Sequence, residues 1–121
     1  MNIKTRQTGK LTEAIAAEFL SKHELIIVDK NFSCRFGEID LVATERDFLV
    51  FVEVRYRKQE HFMSAAESIG RNKIDKLITT SQFYLSKNRK LQNMQCRFDF
   101  IGITGELTKP RIEWVKDAFQ T

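Results

Sequence analysis

The chain has 121 residues, of which 42% are hydrophobic, so it can form one domain with a substantial core. With one proline and five glycines, it is neither a flexible linker nor a low-complexity segment. Twenty lysines and arginines against sixteen acidic residues give a net charge of +4, which is compatible with nucleic-acid binding. There is no signal-peptide pattern and no apolar run of the ~18 residues that cross a membrane. We therefore expect a single domain over residues 1–121 that has no membrane partner.

The first predicted element is a helix over residues 8–22. Its apolar stripe is expected to contain Leu11, Ile15, Ala16, Phe19 and Leu20. Glu18 falls on the opposite, solvent-facing side, whereas Glu13 lies at the edge of the stripe. An acidic residue near the start of a helix is favoured by the helix dipole, so the position of Glu13 alone does not indicate a site.

A strand is predicted over residues 24–32, and two further strands lie within residues 37–57, joined by a turn at Arg46-Asp47. A two-residue turn pairs residues whose numbers sum to 93, which sets Asp40 opposite Glu53. The same register sets Glu38 opposite Arg55.

Because side chains alternate along a strand, these four charged residues are expected on one face of the strand pair. The other face of the first of the two strands is expected to carry Ile39, Leu41 and Ala43.

The second half of the chain predicts a helix followed by two strands. A capping-box pattern at residues 64–67 indicates a helix start, and Gly70 interrupts or restarts that helix. An apolar stripe then runs over residues 71–86, with Lys73 on its flank. Strands follow at residues 95–104 and, after Pro110, at an edge position over residues 111–115. Cys34 and Cys96 are far apart and are expected to be free thiols in a reducing cytoplasm.

The charged end of the central strand pair is the unusual feature of this sequence. Strands that are apolar on both faces are covered on both sides, and carboxylates there are costly without partners. Two explanations remain open from the residues alone. One is a structural network of ion pairs, and the other is a site for a divalent metal ion.

The order of elements and acids resembles the restriction-endonuclease-like nuclease core. That superfamily carries an aspartate on one strand and a Glu/Asp-x-Lys pattern on the next, which correspond here to Asp40 and to Glu53-Val54-Arg55. The chain is more closely similar to the small bacterial YraN family. The matching segments are Gly9, Glu13 and Ala16, then Gly37 to Leu41, Phe51 to Arg57, Lys73, and Arg97-Phe98-Asp99.

The resemblance implies an α/β fold of the Holliday-junction-resolvase type. We expect a mixed sheet of four to five strands flanked by two helices, in the order α-β-β-β-α-β-β. It also implies a Mg²⁺- or Mn²⁺-dependent endonuclease that acts on branched or damaged DNA as a homodimer. The residues to which the resemblance assigns roles fall into four groups. The metal ligands are Asp40, Glu53 and the Val54 carbonyl; the further catalytic residues are Glu13 and Arg55; the DNA contacts are Arg35, Arg57, Lys58 and Lys73; and Glu38 is a supporting residue.

Arg55 stands where the superfamily has lysine. Arginine stays protonated, so it can orient water and stabilise developing charge but cannot act as a base. Either Arg55 supplies the electrostatic part of catalysis while a metal ion activates the water, or the protein is a weak or inactive nuclease that serves as a nucleic-acid-binding module. Lys73 is a further candidate for the missing ammonium group. A structural or interaction protein with an internal ion network is the third hypothesis.

Overall fold

The computed structural model describes residues 3–58 and 69–119, with side chains from residue 7 onward. Within these ranges the elements follow the predicted order α-β-β-β-α-β-β. They are α1 (Ile3–Lys22), β1 (Ile26–Cys34), β2 (Gly37–Glu45), β3 (Phe48–Arg57), α2 (Arg71–Lys87), β4 (Gln95–Thr104) and β5 (Arg111–Val115). The capping-box residues 64–67 lie outside the described residues. No described helix is long and apolar enough to cross a membrane.

The five strands form one mixed sheet in the order β1-β2-β3-β4-β5. Only β3 and β4 are parallel, and α2 makes the crossover that a parallel pair requires. The other neighbours are antiparallel, and β5 lies at an edge as predicted. The α/β class and the mixed sheet with its two flanking helices are therefore confirmed.

Each face of the sheet is covered by one helix. Ala16 and Leu20 of α1 are fully buried against one face, together with Val50 and Val52 of β3. Leu77 and Tyr84 of α2 are buried against the other face. A core of apolar strand residues between two helices explains why the central strands are hydrophobic on both sides.

The predicted apolar stripe of α1 is wrong at Leu11, whose side chain is 48% exposed. An α-helix turns through 3.6 residues, so Leu11 lies on the opposite side from Leu20, nine positions away. Thr12 takes the buried position instead and donates its hydroxyl to the Gly9 carbonyl.

The hairpin between β2 and β3 has the predicted register. Val42 pairs with Phe51, and the last backbone pair towards the charged end is Leu41 with Val52. Arg46 provides the positive φ, 54°, that the two-residue turn needs.

One predicted face assignment is wrong, because Ile39 packs in the α2-side cluster, whereas Leu41 packs under α1. The side-chain alternation of β2 is broken at Asp40, whose carboxylate, rather than its backbone, bonds to β3.

Candidate active site

Two carboxyl groups meet where β2 and β3 separate. Asp40 Oδ2 accepts a hydrogen bond of 2.8 Å from the backbone N–H of Val54. The Asp40 side chain also hydrogen-bonds to Glu53, which is only 5% exposed. The sequence-predicted pair is thus brought together. Asp40 and Glu53 are the next residues after the last backbone pair of the hairpin, Leu41 and Val52, and they meet through their side chains.

The pair has the electrostatics of two acids sharing one site. Burial and the negative charge of Glu53 raise the pKa of Asp40 from 3.8 to about 8. The Val54 N–H opposes this rise, and the more distant Glu13 adds to it. Two close carboxylates repel each other when both are ionised, which favours the protonated form of one of them. Because its pKa is raised to about 8, Asp40 holds a proton at neutral pH in the metal-free protein. A divalent cation would be favoured beside such a pair.

Two cations already contact Glu53. Lys73 Nζ of α2 lies 3.4 Å from Glu53 Oε2, and Arg55 Nε lies 3.5 Å from the same oxygen. Arg55 thus pairs with the acid two positions before it on β3. Glu38, its predicted partner, lies opposite Ser33 of β1. The structure confirms that Lys73 lies beside the apolar stripe of α2, on the side that faces the charged end of β3.

Glu13 approaches from the other face of the sheet. It is half-buried on α1, and burial raises its pKa. A hydrogen bond from the Asn31 side chain lowers the pKa, and the charge of Glu38 raises it again. Asn31, with φ of 55°, was not identified from the sequence. Its signal there is weak, because an asparagine in a strand pattern does not indicate which acid it will reach.

The predicted basic residues lie around the same end of the sheet. Arg57 and Lys58 are exposed at the end of β3, and Arg35 is exposed in the β1–β2 turn that precedes Asp40. The end of β3 and the start of β2 are adjacent because these strands are antiparallel. Arg57 Nη1 donates to the carbonyl of Tyr56 at 3.1 Å, which leaves its other guanidinium donors available to a phosphate.

The donor set of this site fits a hard cation. In a strand, a residue's N–H and C=O point to the same side, so the Val54 carbonyl points towards Asp40 as its N–H does. Nowhere in residues 3–58 and 69–119 do three Asp, Glu, His or Cys side chains form a metal-type cluster. Two carboxylates with a carbonyl and water make up the oxygen-rich, partly hydrated set that Mg²⁺ prefers.

The Arg97-Phe98-Asp99 segment has a different role from the carboxylate pair. Asp99 is buried and accepts a hydrogen bond of 2.9 Å from Arg97 Nε and another from Trp114 Nε1. Arg97 also contacts Glu45 at the far end of the hairpin, at 2.7 Å. This network joins β4, β5 and the β2–β3 turn at the end of the sheet opposite Asp40. Its residues are positioned to stabilise the fold.

The fold and the site define an α/β protein with a paired carboxylate at the open end of a mixed sheet, flanked by lysine and arginine. Residues 12–103 match the model of Uncharacterised protein family UPF0102, and the chain belongs to this family, in agreement with its resemblance to YraN.

The relatives cover nearly the whole chain. A UPF0102 protein of Nitrosococcus oceani is 42% identical over 95% of this chain and 93% of its own length. A UPF0102 protein of Saccharophagus degradans is 42% identical over 96% of this chain and 95% of its own length. A UPF0102 protein of Dichelobacter nodosus is 44% identical over 94% of this chain and 90% of its own length. The family match includes both strands of the candidate site.

Proposed function

We propose that the protein is a metal-dependent endonuclease that hydrolyses phosphodiester bonds in branched or damaged DNA. The observation that carries this proposal is the hydrogen-bonded pair of Asp40 and Glu53, which is held at a buried strand end beside two cations. A buried carboxyl group such as Asp40, whose pKa is raised to about 8 beside a second acid, is typical of functional sites.

The proposed chemistry divides between the carboxylates and the cations. Asp40, Glu53 and the Val54 carbonyl would hold Mg²⁺ or Mn²⁺, which supplies an activated water and a positive charge at the phosphoryl oxygen. Lys73 and Arg55 would then be free to contact the phosphate and stabilise the charge that develops on it. Arg55 orients and stabilises but does not abstract a proton, because arginine remains charged. Glu13 approaches from α1 as a supporting acid.

The proposed substrate is DNA because cations surround the site. Arg35, Arg57 and Lys58 are exposed at the same end of the sheet and would contact phosphates. Such contacts make binding weaken steeply with salt. Cutting two strands of a junction requires two copies of the site, so the proposal includes a homodimer, which light scattering with and without a four-way junction would measure.

Cleavage assays with matched controls test the proposal. Labelled four-way junctions, flaps and single strands are incubated with the protein in Mg²⁺, Mn²⁺ or EDTA. We expect metal-dependent cleavage that falls by about a hundredfold or more in Asp40→Asn and in Glu53→Gln. The exposed acids Glu18 and Asp75 provide the controls Glu18→Gln and Asp75→Asn, which should cut as the wild type does. The proposal fails if no substrate is cut, or if Asp40→Asn cuts at the wild-type rate.

A nucleic-acid-binding module without turnover is the second candidate function. The ion pair of Arg55 with Glu53 favours it. Because Arg55 and Lys73 already neutralise the Glu53 carboxylate, the protein needs no metal ion to balance this charge. This candidate predicts salt-sensitive junction binding without cleavage. Calorimetry with Mn²⁺ separates the two functions, since only the nuclease should show binding that Glu53→Gln abolishes.

A further inference from the structure

Helix α2 carries a row of basic and aromatic side chains that leads away from the carboxylate pair. Lys73, Lys76, Phe83 and Lys87 lie on one side of the helix, because their separations are close to whole numbers of turns. The row begins at Lys73, whose Nζ lies 3.4 Å from Glu53 Oε2. At 1.5 Å per residue it extends about 20 Å from the candidate site.

The β1–β2 turn packs against this row. Gly37 has φ of 151°, and a Cβ atom there would lie 3.0 Å from Thr80 Oγ1 of α2. This close approach places Phe36 beside Phe83, with ring centroids 5.7 Å apart and planes at 61°. Both rings are only half-buried. The turn and the helix together therefore present two aromatic rings at the surface.

A cation lies over each of these rings. Arg35 Cζ is 4.9 Å from the centroid of Phe36, and Lys87 Nζ is 5.3 Å from the centroid of Phe83. Both cations are exposed, and so is Lys76 between Lys73 and the rings. Aromatic rings that stack on bases, combined with cations that follow a phosphate backbone, are what proteins use to bind single-stranded nucleic acid.

We propose that this aromatic–basic platform, formed by Arg35, Phe36, Lys76, Phe83 and Lys87, binds the unpaired nucleotides of a DNA arm next to the scissile bond. Bases in a duplex are already stacked on one another, so side-chain rings can stack only on unpaired bases. The platform therefore gives the protein a preference for branched DNA that carries a single-stranded segment, such as a flap, over fully paired DNA. The position of the cut relative to that segment rests on the proposed function.

The distance along α2 sets the length of the arm. Phe83 lies ten residues beyond Lys73, which is about 15 Å along the helix. A strand of duplex DNA rises about 3.4 Å per nucleotide and an unpaired strand can extend further, so at most about four nucleotides connect the two points. We expect the bound unpaired bases within about four nucleotides of the cleaved bond.

Binding measured without metal tests the platform separately from cleavage. Fluorescence anisotropy in EDTA gives the Kd for a labelled single strand of about 12 nucleotides and for the matching duplex. Phe36→Leu should weaken single-strand binding by about tenfold and change duplex binding by less than about twofold. Phe48→Leu is the control, because Phe48 is also exposed beneath an arginine, with Arg97 Cζ at 5.4 Å, but lies at the opposite end of β3.

A second pair of variants tests the cationic part of the platform without changing a packed ring. Lys76→Gln should weaken single-strand binding and lower its salt dependence by about one phosphate contact. Lys22→Gln makes the same change on α1, which covers the other face of the sheet, and should alter neither quantity. Circular dichroism and thermal melting confirm that all four variants are folded.

The outcomes separate the platform from the nuclease. The platform is refuted if Phe36→Leu binds the single strand as tightly as the wild type does. It is also refuted if Phe48→Leu loses as much single-strand affinity as Phe36→Leu. It is also refuted if duplex binding falls in parallel. Loss of single-strand binding in Phe36→Leu and Lys76→Gln alone supports the platform even if no DNA is cut. Cleavage of fully paired DNA without any preference for single strands would leave the nuclease standing and overturn the platform.

Discussion

Replacing Asp40 by asparagine should stabilise the metal-free protein at alkaline pH while removing its proposed activity. Burial and the charge of Glu53 raise the pKa of Asp40 from 3.8 to about 8, so the folded state holds a proton that the unfolded chain releases. Stability is then fully present below about pH 4 and is lost as the pH rises through about 8. Asparagine keeps an oxygen that accepts the Val54 N–H but has no charge to lose.

The size of the effect follows from the shift. Moving a pKa from 3.8 to about 8 corresponds to at most roughly 5 kcal/mol of unfolding free energy. We expect about half of that value. For a chain of this length it corresponds to a melting temperature about 10 °C higher in Asp40→Asn than in the wild type at about pH 9. Below about pH 4 the difference should nearly vanish.

Thermal and urea denaturation across this pH range provide the assay. Asp75→Asn is the control, because Asp75 is exposed and its pair with Arg71 contributes little. Adding Mn²⁺ should stabilise the wild type at high pH but not Asp40→Asn, since an ion that binds only the folded state raises stability by mass action. If wild-type stability does not fall between about pH 5 and pH 9, or if Asp40→Asn is less stable throughout, the shared-proton interpretation is refuted.

Three further predictions address other parts of the molecule. Asp99→Asn should lower the unfolding free energy by about 1–3 kcal/mol, measured by urea titration of the fluorescence of the single tryptophan, Trp114, because it removes one of the two acidic partners of Arg97 and leaves Glu45 as the other. Unchanged stability would show that the Arg97 network is dispensable. Arg55→Lys should retain cleavage but add an alkaline limb to the pH–rate profile, because lysine can lose its proton and arginine cannot. An identical profile would mean that this cation does not contact the reacting phosphate. Gly37→Ala should cost about 1–3 kcal/mol in thermal denaturation, whereas Gly70→Ala, with open space around it, should cost less than about 1 kcal/mol. Equal costs would contradict the close packing of the β1–β2 turn on α2.

The charges around Glu53 explain how the same residues can stabilise the folded protein and also take part in the proposed reaction. In the metal-free protein Lys73 and Arg55 neutralise Glu53, and a proton neutralises the pair it forms with Asp40. No buried side-chain nitrogen or oxygen within the described residues lacks a hydrogen-bond partner. In the proposed nuclease, a divalent ion would replace the proton and release the two cations towards the phosphate. The metal-free site would then be balanced by its own charges, and metal binding would redistribute them.

Much of the fold could be predicted because its signals are local. The strands β4 and β5 begin and end where the sequence predicts, since each is an apolar run bounded by polar or turn residues. The register of the β2–β3 hairpin follows from a two-residue turn alone. Helix α1 begins at Ile3, five residues before the start that the sequence predicts, and Leu11 lies on the exposed side rather than in the predicted stripe. Both errors concern the polar first turns of a helix, where apolar periodicity provides little information.

The sequence by itself determined the order of the elements and brought Asp40 and Glu53 to one end of a hairpin. These features depend on neighbours along the chain and on the two-residue period of a strand. Only the tertiary structure decided that Asp40 bonds to the Val54 backbone, that Lys73 reaches Glu53 from α2, and that Phe36 lies beside Phe83. Those contacts join elements that are distant in sequence, so they arise from the packing of α2 across the sheet, which no local pattern encodes.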